Sequence, residues 1–296
     1  ATAMWIDRRR VLWTAASVAT AGAMRPMAAF AAADPIERVV AGLERRLGAR
    51  IGVAVLDDHG GRAWTHRAAE RFAFCSTFKA YAAAALLARV DRGEERLDRR
   101  VVFAASDLVA RSPTTEKRVG EPGMTLAEIA EAAVTLSDNT AANLLLRAIG
   151  GPQGFTTFLR SLGDDVGRLD RWETDLNEAT PGDPRDTTTP SAAARTLHEL
   201  VVGRALAPAS RDRLTAWLLG DRVAAALLRS GLPATWKIAD KTGAGGNGAR
   251  GIVAVAWPPE RKPVTIVIHI AETAASMGER NAAIAEIGAA IARSLG

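Results

Sequence analysis

The sequence predicts an α+β fold, an α/β sandwich domain plus an all-α domain, in which an antiparallel sheet is built from both ends of the chain. Near each end, apolar residues that alternate as in strands accompany an amphipathic helix. The middle, residues 76–225, is rich in alanine and leucine and is typical of helices. Of the 296 residues, 48% are hydrophobic and 24% are charged, which excludes wholesale disorder and coiled-coil architectures.

The first predicted elements are a helix and a hairpin. Asp34 followed by Pro35 is typical of a helix N-terminus, and Gly48 of a helix C-terminus. Apolar residues lie between them at helical spacing: Ile36, Val39, Val40, Leu43 and Leu47. Alternation at Ile51, Val53 and Val55 then predicts a strand, and the turn at 57–61 leads to a second strand near Trp64.

A second pair of strands, residues 252–257 and 264–270, is predicted around the proline-rich turn 258–263. A closing helix carries one apolar stripe: Ile284, Ile287, Ile291 and Leu295. We therefore expect a discontinuous α/β domain of residues 34–75 and 226–296, flanked by the N- and C-terminal helices. The inserted helical domain is residues 76–225, and the cleft between the two is the natural place for a site.

The first 33 residues have the pattern of an export signal. Asp7-Arg8-Arg9-Arg10 precedes the uncharged stretch from Val11 to Met24, and an alanine-rich segment follows. The uncharged stretch is shorter than the ~20 residues of a membrane-spanning helix. The pattern predicts a cleaved signal peptide, residues 1–33, exported by the general or the twin-arginine route to the periplasm or the medium, with no stable membrane anchor.

Composition narrows the function classes. Removal of the predicted signal takes away four arginines and one aspartate, which lowers the formal net charge from +5 to +2. The remaining basic residues are mixed with acids, as in residues 91–100, which disfavours nucleic-acid binding. Cys75 is the single cysteine, and the four histidines lack the spacing of a metal site: His59, His66, His198 and His269. We expect no cofactor, no metal and a monomer.

Three short motifs carry the chemistry: Ser76-Thr77-Phe78-Lys79, Ser137-Asp138-Asn139 and Lys241-Thr242-Gly243. A serine and a lysine three residues apart lie on one helix face, and a lysine with a lowered pKa can take the proton of the serine hydroxyl. Each motif alone has a simpler interpretation, respectively a helix start, a helix cap and a glycine-rich turn. Their conjunction in this order is the signature of serine enzymes that recognise penicillin.

With these motifs, residues 34–296 resemble the class A β-lactamase family, and the expected fold is that of serine β-lactamases and D,D-peptidases. Residues 168–186 are similar to the omega loop of this family, a long polar loop closed by Arg171 and Asp186. Glu173 and Asn177, four residues apart, can hold one water between a carboxylate and an amide. The resemblance implies hydrolysis, because the transpeptidases that share the three motifs lack this glutamate.

The resemblance also implies a catalytic set. Ser76 is the nucleophile and Lys79 its hydrogen-bonded proton relay. Ser137 passes a proton to the leaving nitrogen, and Glu173 activates the deacylating water that it shares with Asn177. Whether Lys79 or Glu173 starts acylation stays open.

The same resemblance implies the substrate contacts. Backbone N–H groups of Ser76 and Ala244 form the oxyanion hole. Asn139 binds the acylamide side chain and orients Lys79. Lys241, Thr242 and Arg250 bind the substrate carboxylate, and Gly243 and Ala244 complete the substrate-binding residues on the same strand.

The function predicted from these residues is hydrolysis of penicillins, and of early cephalosporins, by an exported serine β-lactamase. Two alternatives remain: a D,D-peptidase or transpeptidase, and a catalytically silent β-lactam-sensing domain. Several positions depart from the family pattern, among them Ala73, where a proline is frequent, and the following two. Arg111 stands where many relatives have an aromatic wall of the cleft, and Gly245 stands where relatives with carbapenem activity often have a cysteine bonded to the one at position 75.

Overall fold

The computed structural model describes residues 34–295. The predicted signal peptide, residues 1–33, lies outside the described residues. Within residues 34–295, helices cover both faces of one five-stranded antiparallel sheet. None of the helices in this range is long and apolar enough to cross a bilayer.

The helices, in chain order, are α1 (Pro35–Leu47), α2 (Phe78–Asp91), α3 (Leu126–Thr135), α4 (Asn139–Ala148), α5 (Gly151–Ser161), α6 (Pro190–Val201), α7 (Pro208–Leu219), α8 (Leu228–Gly231) and α9 (Met277–Leu295). The strands are β1 (Arg50–Asp57), β2 (Arg62–His66), β3 (Phe72–Ala73), β4 (Arg100–Val101), β5 (Met124–Thr125), β6 (Thr187–Thr188), β7 (Lys237–Ala244), β8 (Arg250–Trp257) and β9 (Val264–Ala271).

The sheet joins the two ends of the chain in the order β2-β1-β9-β8-β7, so β2 and β7 are its edges. Strand β1 pairs with β9 over its whole length, with Val53 opposite Ile268. Strand β7 pairs with β8, with Lys241 opposite Val253. The predicted α+β class, with one antiparallel sheet drawn from both ends of the chain, is confirmed.

Local chemistry fixes the first helix where the sequence predicts it. The Asp34 carboxylate accepts a hydrogen bond from the Ile36 N–H at 2.8 Å, which satisfies one free donor of the first turn. At the other end Gly48 has φ 53°, and its N–H donates to the Glu44 carbonyl. A left-handed residue after the last turn is a common way to end a helix.

Both faces of the sheet are buried, each by its own set of helices. In β8 the side chains alternate: Ile252 and Ala254 join the apolar cluster with α1 and α9, whereas Val253 and Val255 join the larger cluster with α2 to α7. Helix α6 packs directly on β1, β8 and β9. Since apolar neighbours lie on both sides, the central strands are almost continuous apolar runs.

The sequence predicts an entirely helical region at residues 76–225. In the structure this region also contains three short strands, β4, β5 and β6. Strands β3 and β6 form a two-residue ladder, and β4 and β5 form another. The first ladder ties the end of the loop 168–186 to the segment before Ser76, where the Phe74 N–H also donates to the Asp186 carbonyl at 2.9 Å. These pairings join segments far apart in sequence and are too short to leave a periodic pattern.

Candidate active site

Ser76 lies in a 3₁₀ turn, Cys75–Thr77, which leads directly into α2. The turn is anchored by buried neighbours, and the Thr77 hydroxyl donates to the Phe74 carbonyl at 2.6 Å. Strand β7 passes close by, because a Cβ on Gly243 would lie only 2.9 Å from the Phe74 carbonyl oxygen. Glycine at this position therefore lets the strand edge approach the serine.

Lys79 is fully buried at the centre of the site. Its Nζ donates to Asn139 Oδ1 at 2.6 Å and to the Ser137 carbonyl at 2.9 Å, and it lies 3.4 Å from Ser137 Oγ. It also forms an ion pair with Glu173 Oε1 at 3.0 Å, and both side chains are 0% exposed. Burial lowers the pKa of Lys79, and the Glu173 carboxylate opposes this effect.

Lys79 and Ser76, both within the described residues, form no hydrogen bond with each other, although one is expected from the sequence. The ammonium group instead binds a carboxylate and two carbonyl oxygens, which are stronger acceptors for a cation than a neutral hydroxyl. The Ser76 hydroxyl lies 3.5 Å from Glu173 Oε1, a long contact. Lys79 and Ser76 therefore share Glu173 as a neighbour rather than contacting each other.

The motif Ser137-Asp138-Asn139 also has its simpler role, because Asp138 caps α4 by accepting from the Ala141 N–H at 2.8 Å. This cap holds its two neighbours in the site. Ser137, with φ 57°, places its Oγ 3.1 Å from Lys241 Nζ. Asn139 donates from Nδ2 to the Ala110 carbonyl at 2.9 Å, which fixes the amide so that its oxygen faces Lys79.

The loop 168–186 is closed as the sequence predicts. Arg171 Nε donates to Asp186 Oδ2 at 2.6 Å. The other oxygen of Asp186 accepts from the backbone N–H groups of Asp170 and Arg171 at 2.7 and 2.9 Å. The carboxylate is thus buried with three donors, and it joins the two ends of the loop.

Within this loop Glu173 is held by two amide side chains. Asn177 Nδ2 donates to Glu173 Oε2. Asn143 binds the glutamate backbone twice, accepting from its N–H and donating to its carbonyl, each at 2.9 Å. Asn143 is not among the residues predicted from the sequence, although an amide four residues after Asn139 on the same helix face was an available signal. The buried Asn177 Oδ1 has no protein partner in the part of the chain described.

Lys241, Thr242, Gly243 and Ala244 occupy the end of the edge strand β7. Lys241 is fully buried and donates to Ser137 Oγ and to the Thr242 carbonyl, at 3.1 and 3.0 Å. Burial lowers the pKa of Lys241 to about 8, against the opposing attraction of the buried Asp221 carboxylate. Asp221 is a further neighbour that is not predicted from the sequence.

Arg250 begins β8, directly opposite Ala244. Its guanidinium donates to Asn281 Oδ1 at 2.8 Å and to the Gly243 carbonyl at 3.1 Å. Burial, and then the neighbouring Arg280, lower the pKa of Arg250 to about 10, which still leaves it cationic at neutral pH. The β7–β8 pairing therefore brings a second cation to the strand end that carries Lys241.

The structure thus brings the predicted site residues together. A single network of polar contacts joins seven of them: Ser76, Lys79, Ser137, Asn139, Glu173, Asn177 and Lys241. The others lie at the neighbouring end of the paired strands β7 and β8. Cys75 is a buried free thiol beside the serine, and burial raises its pKa to about 12, as is typical of a small side chain packed in the core.

Comparisons with known proteins agree with this arrangement. A profile of the β-lactamase enzyme family matches residues 32–295. An ancestral class A β-lactamase of Gram-negative bacteria is 56% identical, with a TM-score of 0.86 over 88% of this chain and 99% of that one. A protein assigned to class A, PenP from Rhodopseudomonas palustris, is 52% identical, with a TM-score of 0.87 over 88% of this chain and 100% of the other.

The profile covers most of the chain, and the identities are well above 30%. The chain therefore belongs to the class A β-lactamase family. It is accordingly an enzyme, a hydrolase of the β-lactam amide, and the resemblance stated from the sequence is confirmed.

Proposed function

We propose that this protein is an exported serine β-lactamase that opens penicillins and early cephalosporins through an acyl-enzyme on Ser76. The observation that carries this proposal is the position of the Glu173 carboxylate. One oxygen lies 3.5 Å from Ser76 Oγ and 3.0 Å from Lys79 Nζ, and the other accepts from Asn177. A base beside both the nucleophile and an amide suits hydrolysis of an ester formed on that serine.

In acylation, Ser76 Oγ attacks the lactam carbonyl carbon and loses its proton to the Lys79–Glu173 pair. Backbone N–H groups of Ser76 and Ala244 stabilise the oxyanion. The C–N bond of the ring then breaks, and the nitrogen takes a proton from Ser137, whose hydroxyl lies between two lysine ammonium groups. Ser137 regains a proton from the Lys79–Glu173 pair through Lys79 Nζ, 3.4 Å away. Because Glu173 and Lys79 are in contact, the acylation base is either the Glu173 carboxylate or a neutral Lys79 that has first passed a proton to Glu173.

In deacylation, Glu173 takes a proton from a water that attacks the ester carbonyl of the acyl-enzyme. The C–O bond to Ser76 breaks, and the serine oxygen takes the proton back from Glu173, which restores the carboxylate. Asn177 supports this step, because its Nδ2 orients the carboxylate and its buried Oδ1 is available to accept a hydrogen bond from the water. The two backbone contacts from Asn143 hold Glu173 at this position.

The substrate carboxylate is bound at the end of β7 by Lys241, Thr242 and Arg250, with Gly243 and Ala244 offering the strand edge. Two cations in a largely buried site attract an anion strongly. Asn139 binds the acylamide group with the same amide that orients Lys79. No metal or cofactor has a role in this scheme.

The remaining parts of the proposal concern the whole protein. We propose that residues 1–33 direct export and are removed. The mature chain then consists of a discontinuous α/β domain, residues 34–75 and 226–296, and a helical domain, residues 76–225. It acts as a monomer on small-molecule β-lactams in the periplasm or the medium, with no stable membrane anchor.

Turnover of a chromogenic cephalosporin by the wild type and by Glu173→Ala tests the proposal. We expect turnover by the wild type and a loss of at least about 100-fold in the variant, as for removal of a general base. Exposed Glu199→Ala is the matched control and should turn over like the wild type. A wild type that is acylated on Ser76 without turnover would instead indicate a D,D-peptidase or a sensor domain.

A further inference from the structure

Residues 109–115 form a loop that is fastened to the start of α4. The Ser112 hydroxyl donates to the Val109 carbonyl at 2.7 Å and lies 2.7 Å from the Thr140 hydroxyl. Asp138 accepts from the backbone N–H groups of Thr114 and Thr115, both at 2.9 Å. The backbone of this loop is therefore fixed to the motif that supplies Ser137 and Asn139.

Arg111 lies where this loop meets the site. The Asn139 N–H donates to its carbonyl at 3.0 Å, and the Asn139 amide donates to the carbonyl of the preceding residue, Ala110. Arg111 has φ 62°, an uncommon conformation for a residue with a side chain. Strained backbone that the surroundings hold in place is concentrated at functional sites.

The Arg111 side chain is exposed, and among the described residues no carboxylate pairs with it and no acceptor receives its hydrogen bonds. Most other arginines near the site are engaged, as Arg171 is with Asp186 and Arg250 with Asn281. An arginine side chain is long enough to reach past the neighbouring Asn139. Arg111 thus offers an exposed guanidinium without a carboxylate partner, on a residue whose backbone is hydrogen-bonded to Asn139, which receives the acylamide side chain of a substrate in the proposed function.

We propose that Arg111 is a specificity-determining residue that selects β-lactams whose acylamide side chain carries an anionic group, such as a carboxylate. This inference rests on the proposed function of the site. The ring carboxylate of the substrate is bound at the far side of Ser137, by Lys241 and Arg250. An anion near Arg111 is therefore a second anion, and the guanidinium offers it a planar pair of donors.

The test compares two penicillins that differ in one group: carbenicillin, which carries a side-chain carboxylate, and benzylpenicillin, which does not. The quantity measured is the ratio of their second-order rates of Ser76 acylation, taken as kcat/KM where the penicillin is turned over and from intact mass where an adduct accumulates. Because this ratio concerns acylation, it can be measured even if Glu173 is not the deacylation base. Variants are Arg111→Gln, Arg111→Lys, and Arg62→Gln on the opposite edge strand β2 as the matched control.

We expect Arg111→Gln to lower the carbenicillin-to-benzylpenicillin ratio about three- to tenfold, the range for one charge pair at a partly solvated site. Arg111→Lys should retain most of the ratio, and Arg62→Gln all of it. Salt should lower the ratio in the wild type and leave it constant in Arg111→Gln, because screening acts on the charge pair. Equal effects of Arg111→Gln on both penicillins, or no effect on either, would overturn the proposal. Failure of both penicillins to acylate the wild-type Ser76 would overturn the proposed function as well.

Discussion

The Arg171–Asp186 pair closes the loop that carries Glu173, and Asp186→Asn tests how strongly it does so. The aspartate accepts three hydrogen bonds, two from backbone N–H groups and one from Arg171. Asparagine keeps one oxygen for the backbone donors but turns an NH₂ group toward the guanidinium. The variant therefore leaves a largely buried arginine facing another donor.

The magnitude follows from burial. The Asp186 side chain is 1% exposed and that of Arg171 is 19% exposed. Breaking a buried ion pair by removing one partner costs about 3–5 kcal/mol. We expect about 3 kcal/mol, at the low end, because Arg171 retains some solvent contact and its second partner, Glu178. Deacylation should slow as well, since the loop positions Glu173.

Asp183→Asn is the matched control, because Asp183 pairs with Arg185 in the same loop at the same distance, 2.6 Å. That pair is at the surface, with the arginine side chain 49% exposed, so its loss should leave stability and turnover unchanged. Urea denaturation gives the free energy of unfolding, with the m-value as a check on two-state behaviour. Equal destabilisation by the two variants, or none by Asp186→Asn, would refute the reasoning.

Three further predictions follow from single positions. A Cβ on Gly245 would lie 2.5 Å from the Asn177 carbonyl oxygen and 2.7 Å from Cys75 Sγ. Gly245→Ala should therefore lower the free energy of unfolding by about 1–3 kcal/mol, measured by urea denaturation. It should also slow deacylation, measured by burst kinetics. Burial, with a nearby arginine, lowers the pKa of His269 to about 4. As the pH falls, this histidine is protonated near pH 6.5 in the unfolded chain but only near pH 4 in the folded protein. The free energy of unfolding is therefore unaffected by this group above pH 6.5 and decreases by up to about 3 kcal/mol as the pH drops toward 4. His269→Met should remove this slope, and an unchanged slope would contradict the assignment. Lys241, with its pKa lowered to about 8, loses its charge above that pH, so KM should rise there in the wild type and stay constant to higher pH in Lys241→Arg.

The helices and strands that the sequence predicts correctly are those whose bounds depend on residues close together in the sequence. Asp34 and Gly48 mark the ends of α1 because capping acts within one turn. The apolar stripe of α9 is buried as predicted, at Ile284, Ile287 and Ile291. The site residues were recognised because three motifs occur together in order, a signal that no one of them carries alone.

Contacts between distant segments could not be derived in this way. Asn143 and Glu173 are 30 residues apart, and only the folded chain brings them together. The choice of Glu173 and Asn139 over Ser76 as partners of Lys79 depends on which acceptors converge on one buried amine. The sequence names the groups present, but the competition among them is settled by packing.

The lifetime of the Ser76 acyl-enzyme tests the central claim most directly. Intact mass is recorded over time after benzylpenicillin is mixed with the wild type and with Glu173→Gln. A deacylation base at this position predicts a short-lived adduct in the wild type and an adduct of one penicillin that persists in the variant. Equal adduct lifetimes in the two proteins, or no adduct on Ser76 in Glu173→Gln, would contradict it.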